Sequence, residues 1–167
     1  MKILFSGDLY KTNDLLSVDK NFQNYIDDSD YYILNFEGPV LKRPQKLYRK
    51  IEKSGPNIYM ETTVKKVLYK FSKIPICACA NNHIGDFGEI GVRNTIDYFN
   101  EHKIKYTGIG SNLDKSNEPL ILDNKIAILN FAENEFGMAK FNSYGANPYR
   151  ISDIIKKIKD LKSLNYK

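Results

Sequence analysis

The chain has 167 residues, 42% of them hydrophobic and 27% charged, a balance that excludes a disordered or fibrous polymer and allows one domain with its own core. The net charge of +5 comes from basic residues spread along the chain, which favours anionic partners such as phosphates or acidic polymers and gives no sign of a nucleic-acid-binding block. The apolar run Ile3-Leu4-Phe5 is closed at once by Ser6, Gly7 and Asp8, too short for a signal-peptide core, and no later run reaches membrane-spanning length, so a cytoplasmic location without a membrane segment is expected.

In chain order, "KILFS" (2–6) reads as a first strand, and "VDKNFQNYIDD" (18–28) as a helix with Val18, Phe22 and Ile26 on one face. "YYILNF" (31–36) is a second strand. The stretch from Gly38 to Pro56, with prolines at 39, 44 and 56, reads as an irregular loop. Its segment "LKRPQKLYRKIEK" (41–53) gathers basic residues around Leu41, Leu47 and Ile51. That segment is either a solvated loop or a flap offering Arg43, Lys46, Arg49 and Lys50 to an anionic substrate. "ETTVKKVLYKF" (61–71) has the look of a helix, and "IPICACA" (74–80) that of a short buried strand.

Cys77 and Cys79 alternate onto one face of that strand, a spacing unsuited to a disulfide and without a CxxC metal pattern, so they are expected to be packing residues. "EIGVRNTIDYFNEH" (89–102) follows as a helix bearing Ile90, Val92, Ile96 and Phe99, with His102 as a solvated helix residue. "IKYTGIG" (104–110) is a further strand, whose GxG lacks the third glycine of a dinucleotide-binding loop. "PLILDNKIAILNF" (119–131) predicts a hairpin turning at Asp123-Asn124. The last element is an amphipathic helix starting near Ser152 as its N-cap. The alternation argues for an α/β sheet layered with helices. It also calls for another strand after the last helix, so an unpaired sheet edge is expected, open to a homodimer or a C-terminal partner chain.

In α/β sheets ligands gather beyond the carboxyl ends of strands. Asp8 stands at the end of the first strand, Glu37 at the end of the second, and Asn82 and His83 at the end of the third. Each alone fits a turn or cap residue equally well. Together they supply the carboxylate, amide oxygen and imidazole that suit Mn, Mg, Fe or Zn.

At these residues the chain resembles the CapA, or PgsA-like, family of bacterial capsule and poly-γ-glutamate biosynthesis, which is similar in fold to the calcineurin-like metallophosphoesterases. The resemblance rests on "GDLY" (7–10), "NFEGPV" (35–40) and above all "ANNHIGDFGEIGVRNTIDYF" (80–99), and continues through "YTGIGSNLDKSNEPLIL" (106–122), "AENEFG" (132–137) and "GANPYRISDII" (145–155). It implies that Asp8, Glu37 and Asn82 are metal ligands of a dinuclear centre, Glu37 standing where the phosphoesterases have a bridging aspartate. His83 would act at the leaving oxygen, with Asp86 orienting it.

Two features depart from the pattern. The phosphoesterase D-x-H signature reads Asp8-Leu9-Tyr10 here, and the family's remaining metal histidines come from a later strand ending in His-Gly. The resemblance therefore implies that residues 1–167 are the N-terminal part of a single layered, metallophosphoesterase-like domain, incomplete at its C-terminus. Metal binding and hydrolysis by this chain alone are expected to be weak or absent. Two functions stay open: a metal-dependent phosphoesterase-like hydrolase when complete, or a non-catalytic subunit that binds an acidic polymer or a partner protein.

Overall fold

Side chains in the first three long strands alternate between two cores, and that alternation sets the architecture. A computed structural model describes residues 1–10, 17–123 and 125–167. In chain order the elements begin with β1 (Ile3–Leu9), α1 (Lys20–Asp27), β2 (Tyr31–Phe36), β3 (Val40–Leu41), β4 (Met60–Glu61), α2 (Val64–Leu68), β5 (Ile76–Ala78) and α3 (Gly88–Glu101). They continue with β6 (Tyr106–Thr107), β7 (Ile109–Gly110), α4 (Leu113–Ser116), β8 (Leu120–Leu122), β9 (Ile126–Ile128), β10 (Gly145–Ala146) and α5 (Ile151–Ser163).

The central sheet is four-stranded and parallel, in the order β1-β2-β5-β6, the α/β layering expected from the sequence. Tyr32, Leu34, Phe36, Cys77 and Cys79 face a core shared with Ile26, Val92, Tyr98 and Phe99 of the helices. Ile33 and Ile76, with Ile3, Tyr31 and Ala78 beside them, face the opposite way, onto Leu120, Leu122, Ile126 and Ile128 of the β8–β9 hairpin. Both faces of the sheet are thus covered, as a parallel sheet requires. Phe99 is the keystone of the helical side: its ring lies 5.0 Å from that of Phe36, edge-on, and 5.4 Å from Tyr106, stacked. Truncating such a buried ring to alanine costs about 3–5 kcal/mol.

The polar stretch after β2 is less irregular than its prolines suggest. Val40 and Leu41 pair in parallel with Met60 and Glu61, a 3-10 turn spans Gln45–Leu47, and α3 pins both ends. Thr95 Oγ1 accepts from the Val40 N–H at 2.8 Å and donates to the Gly91 carbonyl. Tyr98 Oη donates to the Thr62 carbonyl and accepts from the Lys65 N–H. Asn94 Nδ2 donates to Tyr48 Oη at 2.9 Å.

Several sequence expectations are corrected. The first helix starts at Lys20 because the Asp19 carboxylate accepts from the N–H groups of Asn21 and Phe22; Val18 precedes it but still packs on the core. The "ETTVKKVLYKF" helix shrinks to Val64–Leu68, since Glu61 belongs to β4. The strand expected over 104–110 breaks in two at Gly108, whose φ of +86° suits only glycine, and a Cβ there would collide with Asn130 Oδ1 and Ala80. The second piece, β7, turns away to pair with β10. The hairpin is present as antiparallel β8 and β9; Asn124 of its turn lies outside the described residues.

The last helix starts at Ile151 with Arg150 at its cap position and no capping side chain, so Ser152 sits inside the first turn rather than at the N-cap. It buries no residue, and Ile151, Ile155 and Ile158 stay exposed. His102 is not a solvated helix residue: it is the C-cap of α3, half-buried, with its ring 4.5 Å from that of Tyr98. Cys77 and Cys79 are fully buried free thiols, as packing residues should be. Among the described residues no helix is long and apolar enough to cross a membrane.

Candidate functional site

Because β1, β2 and β5 run parallel and adjacent, their carboxyl ends open onto one edge of the sheet. Asp8 is the penultimate residue of β1, not the residue that ends it, and the register against β2 shifts between Ser6 and Asp8. That irregularity sets Asp8 opposite Asn35, whose Nδ2 donates to Asp8 Oδ1 at 2.7 Å. Glu37 follows directly on β2, and its N–H donates to the Leu9 carbonyl at 3.1 Å. The two carboxylates therefore sit on neighbouring strand ends. Burial pushes the Glu37 carboxyl above the usual glutamate range, and the negative charges of Asp8 and Asp86 push the same way, against His83 and Lys53.

The turn after β5 is built by Asn81. Its Oδ1 accepts from the N–H groups of His83 and Ile84, and its Nδ2 donates to the Phe36 carbonyl and to Asn35 Oδ1. Asn81 thus ties the third strand end to the second, leaving Asn82 exposed at the apex. His83 Nδ1 lies 2.8 Å from Asp86 Oδ2, and the Asp86 side chain is 0% exposed. Beyond it, Gly85 meets Gly137 backbone to backbone: a Cβ on Gly85 would stand 2.6 Å from the Gly137 Cα. The "AENEFG" segment is therefore part of the site's frame.

Asp86 is the node that fastens the long loop to this turn. Its Oδ2 also accepts from the Ile58 N–H at 2.7 Å, and its backbone carbonyl accepts from the Ile51 N–H at 3.0 Å and Asn57 Nδ2 at 3.2 Å. Its Oδ1 takes the Lys53 ammonium at 2.5 Å, which also lies 3.0 Å from His83 Nδ1 and 5.0 Å from the centre of the Phe136 ring. Sequence reasoning missed Lys53. It lies 30 positions before His83, and no spacing or motif distinguishes it from the other cations of its loop. The cations that were named instead, Arg43, Lys46, Arg49 and Lys50, are exposed.

The structure thus brings Asp8, Glu37, His83, Asp86 and Lys53 into one electrostatic neighbourhood, with Asn82 on its rim. The donors suit a hard divalent ion in kind: two carboxylates on adjacent strand ends, one of them raised by burial and by its neighbour's charge, and an exposed amide. They fall short in number, because among the described residues no three His, Cys, Asp or Glu side chains converge at metal-holding spacing.

Comparison with known proteins follows the same segments. Residues 4–163 match the family model described as Bacterial capsule synthesis protein PGA_cap. The chain is 35% identical over 113 residues to the capsule biosynthesis protein CapA of Bacillus anthracis, an alignment covering 65% of this chain and 27% of that protein. It is 30% identical over 93 residues to the PGA biosynthesis protein CapA of Bacillus subtilis (strain 168), covering 55% of this chain and 23% of that one. The chain spans about a quarter of the length of these curated relatives. With a family match that runs from the strand carrying Asp8 to the end of α5, the chain belongs to the bacterial capsule synthesis protein family PGA_cap.

Proposed function

We propose that this chain carries the acidic, ligand-binding edge of a metal-dependent phosphoesterase-like hydrolase serving capsule or poly-γ-glutamate biosynthesis. The observation that supports it best is the meeting of Asp8, Glu37 and the His83–Asp86–Lys53 cluster beyond three adjacent parallel strands. In this reading Asp8, Glu37 and Asn82 hold a divalent cation such as Mn, Mg, Fe or Zn, and further donors would have to join them for a dinuclear centre. Once bound, the metal supplies Lewis-acid polarisation of a phosphoryl oxygen. His83 takes up a proton at Nε2 and hands it to the leaving oxygen, while Asp86 keeps its ring in place. Arg43, Lys46 and Arg49 draw in the anionic substrate from the loop. The test is Mn²⁺ calorimetry on the chain, beside hydrolysis of p-nitrophenyl phosphate. Binding that disappears in both Asp8→Ala and Asn82→Ala supports the reading. Unaltered binding in either variant removes that residue from the ligand set.

A second reading is favoured by the short donor set among the described residues and by the exposed cations Arg43, Lys46, Arg49 and Lys50 of the loop: a non-catalytic subunit that binds an acidic polymer or a partner protein. It expects poly-γ-glutamate to bind as well to Asp8→Ala as to the parent, and more weakly to a variant lacking the charges of Arg43, Lys46 and Arg49.

A further inference from the structure

We infer that Lys53 is a positioning residue that acts through Asp86 to hold the His83 ring in one tautomer, with the proton on Nδ1 and the lone pair on Nε2. The argument starts from Asp86, a fully buried carboxylate whose two oxygens do different jobs. Oδ1 takes the Lys53 ammonium at 2.5 Å; Oδ2 takes the Ile58 N–H at 2.7 Å and faces His83 Nδ1 at 2.8 Å. Paired with the Lys53 ammonium, Asp86 is an ionised, acceptor-only carboxylate with no hydrogen of its own, so the ring nitrogen 2.8 Å from Oδ2 is the donor and Nδ1 carries the hydrogen. The Lys53 ammonium, 3.0 Å from the same Nδ1, can only donate and would need a lone pair there; with the Nδ1 hydrogen given to Asp86 none is left, and the approach follows from the carboxylate that the two groups share.

Lys53 is what keeps the two oxygens apart in role. Without it the Ile58 N–H is the one remaining fixed donor on the carboxylate, which can then turn about its Cβ–Cγ bond and carry Oδ2 away from the ring. Lys53 is itself poorly placed to move: its side chain is 8% exposed, and the Phe136 ring lies 5.0 Å from its ammonium. The backbone on both sides of it is also fixed to Asp86, through Ile51 and Ile58. An isolated histidine side chain favours the hydrogen on Nε2, so the cluster works against the intrinsic preference. The consequence for chemistry, a lone pair at Nε2 ready for a proton or an electrophile, rests on the hydrolase reading above; the tautomer does not.

Long-range ¹H–¹⁵N correlation of the imidazole nitrogens tests this directly, at a pH where the ring is neutral, with His102→Gln used to assign the two histidines. The parent chain is expected to show His83 with a protonated-type Nδ1 and an unprotonated-type Nε2. In Lys53→Met and in Lys53→Gln (one bond shorter and uncharged), the pure signature is lost and both shifts move toward the Nε2–H form, while the amide spectrum stays that of the folded chain. Lys53→Gln retains a polar group in the slot and guards against a Lys53→Met chain that does not fold. An Nε2–H ring in the parent overturns the inference, and so does an unchanged Nδ1–H ring in either folded variant. A confirmed tautomer in a chain whose Mn²⁺ binding is unaltered by Asp8→Ala and Asn82→Ala rejects the hydrolase reading alone; Mn²⁺ binding lost in both variants beside the opposite tautomer rejects this inference alone.

Discussion

Replacing Lys53 by methionine keeps an unbranched side chain one atom shorter and removes its charge, leaving Asp86 as a buried carboxylate without a cation. The pair is 8% and 0% exposed, so solvent offers little relief. Removing one member of such a pair costs about 3–5 kcal/mol. Asp86 keeps its hydrogen bond from the Ile58 N–H, which places the expected loss at the lower end, about 3 kcal/mol. For a chain of this size each kcal/mol moves the melting temperature by roughly 2–4 °C, so Tm falls by roughly 6–12 °C. The assay is thermal unfolding followed by far-UV circular dichroism, with urea melts to confirm an unchanged m-value. Adding Asp86→Asn to Lys53→Met removes the stranded charge and should recover most of the loss, because deleting both members of a buried pair is far cheaper than deleting one. A Lys53→Met chain that melts within about 2 °C of the parent, less than 1 kcal/mol on the same scale, would refute the claim that this pair is buried and mutually dependent.

Other outcomes are expected from the same structure. Glu37 is raised by burial and by Asp8, so its contribution favours folding below the ordinary glutamate value of 4.5 and is lost as pH rises through the raised value. Glu37→Gln should therefore melt above the parent at neutral pH, and the two curves should converge in acid; equal Tm values across that range would remove the strain assigned to this carboxylate. Thr95→Val strands the buried Val40 N–H and should cost about 1–3 kcal/mol in urea denaturation, with Thr95→Ser largely neutral. Burial holds the thiols of Cys77 and Cys79 well above the usual cysteine range, so a thiol reagent should react with the native chain only as fast as it opens, and fully in denaturant. Asn82→Ala removes an exposed side chain from the rim of the site and should shift Tm by less than about 2 °C, which makes it the clean probe of ligand binding.

The sequence was most legible where short-range chemistry decides. Tyr31–Phe36 is a strand from end to end as read, because a run of aromatic and β-branched side chains fits a sheet buried on both faces. The His83–Asp86 contact was expected from the family resemblance and not from spacing; the structure supplies its physical reason, a tight turn that brings side chains three residues apart together. Legibility ended where a distant segment dictates the outcome. The break at Gly108 is set by Asn130 and Ala80, residues far from it in sequence. The start of α5 at Ile151 overrides the good cap residue Ser152, because the chain reaches the helix through Tyr149, whose N–H is held by the Ala132 carbonyl. Lys53 is the clearest case. Nothing local separates it from Lys46 or Lys50, and only the course of the loop across the turn at Asp86 gives it a role.

The seam between Gly85 and Gly137 carries a consequence for how this site tolerates change. Two segments some fifty positions apart touch there with no side chain between them, so a methyl group added on either side meets backbone, not a deformable neighbour. In an ordinary core, a larger residue on one side is matched by a smaller one opposite. Here nothing smaller is available. Compensating pairs at these two positions are ruled out, and any repair must displace a whole segment, either the turn bearing His83 or the stretch holding Phe136 beneath Lys53. Variation that retunes this site is therefore channelled into the 42–59 loop, where side chains can be exchanged without parting that seam.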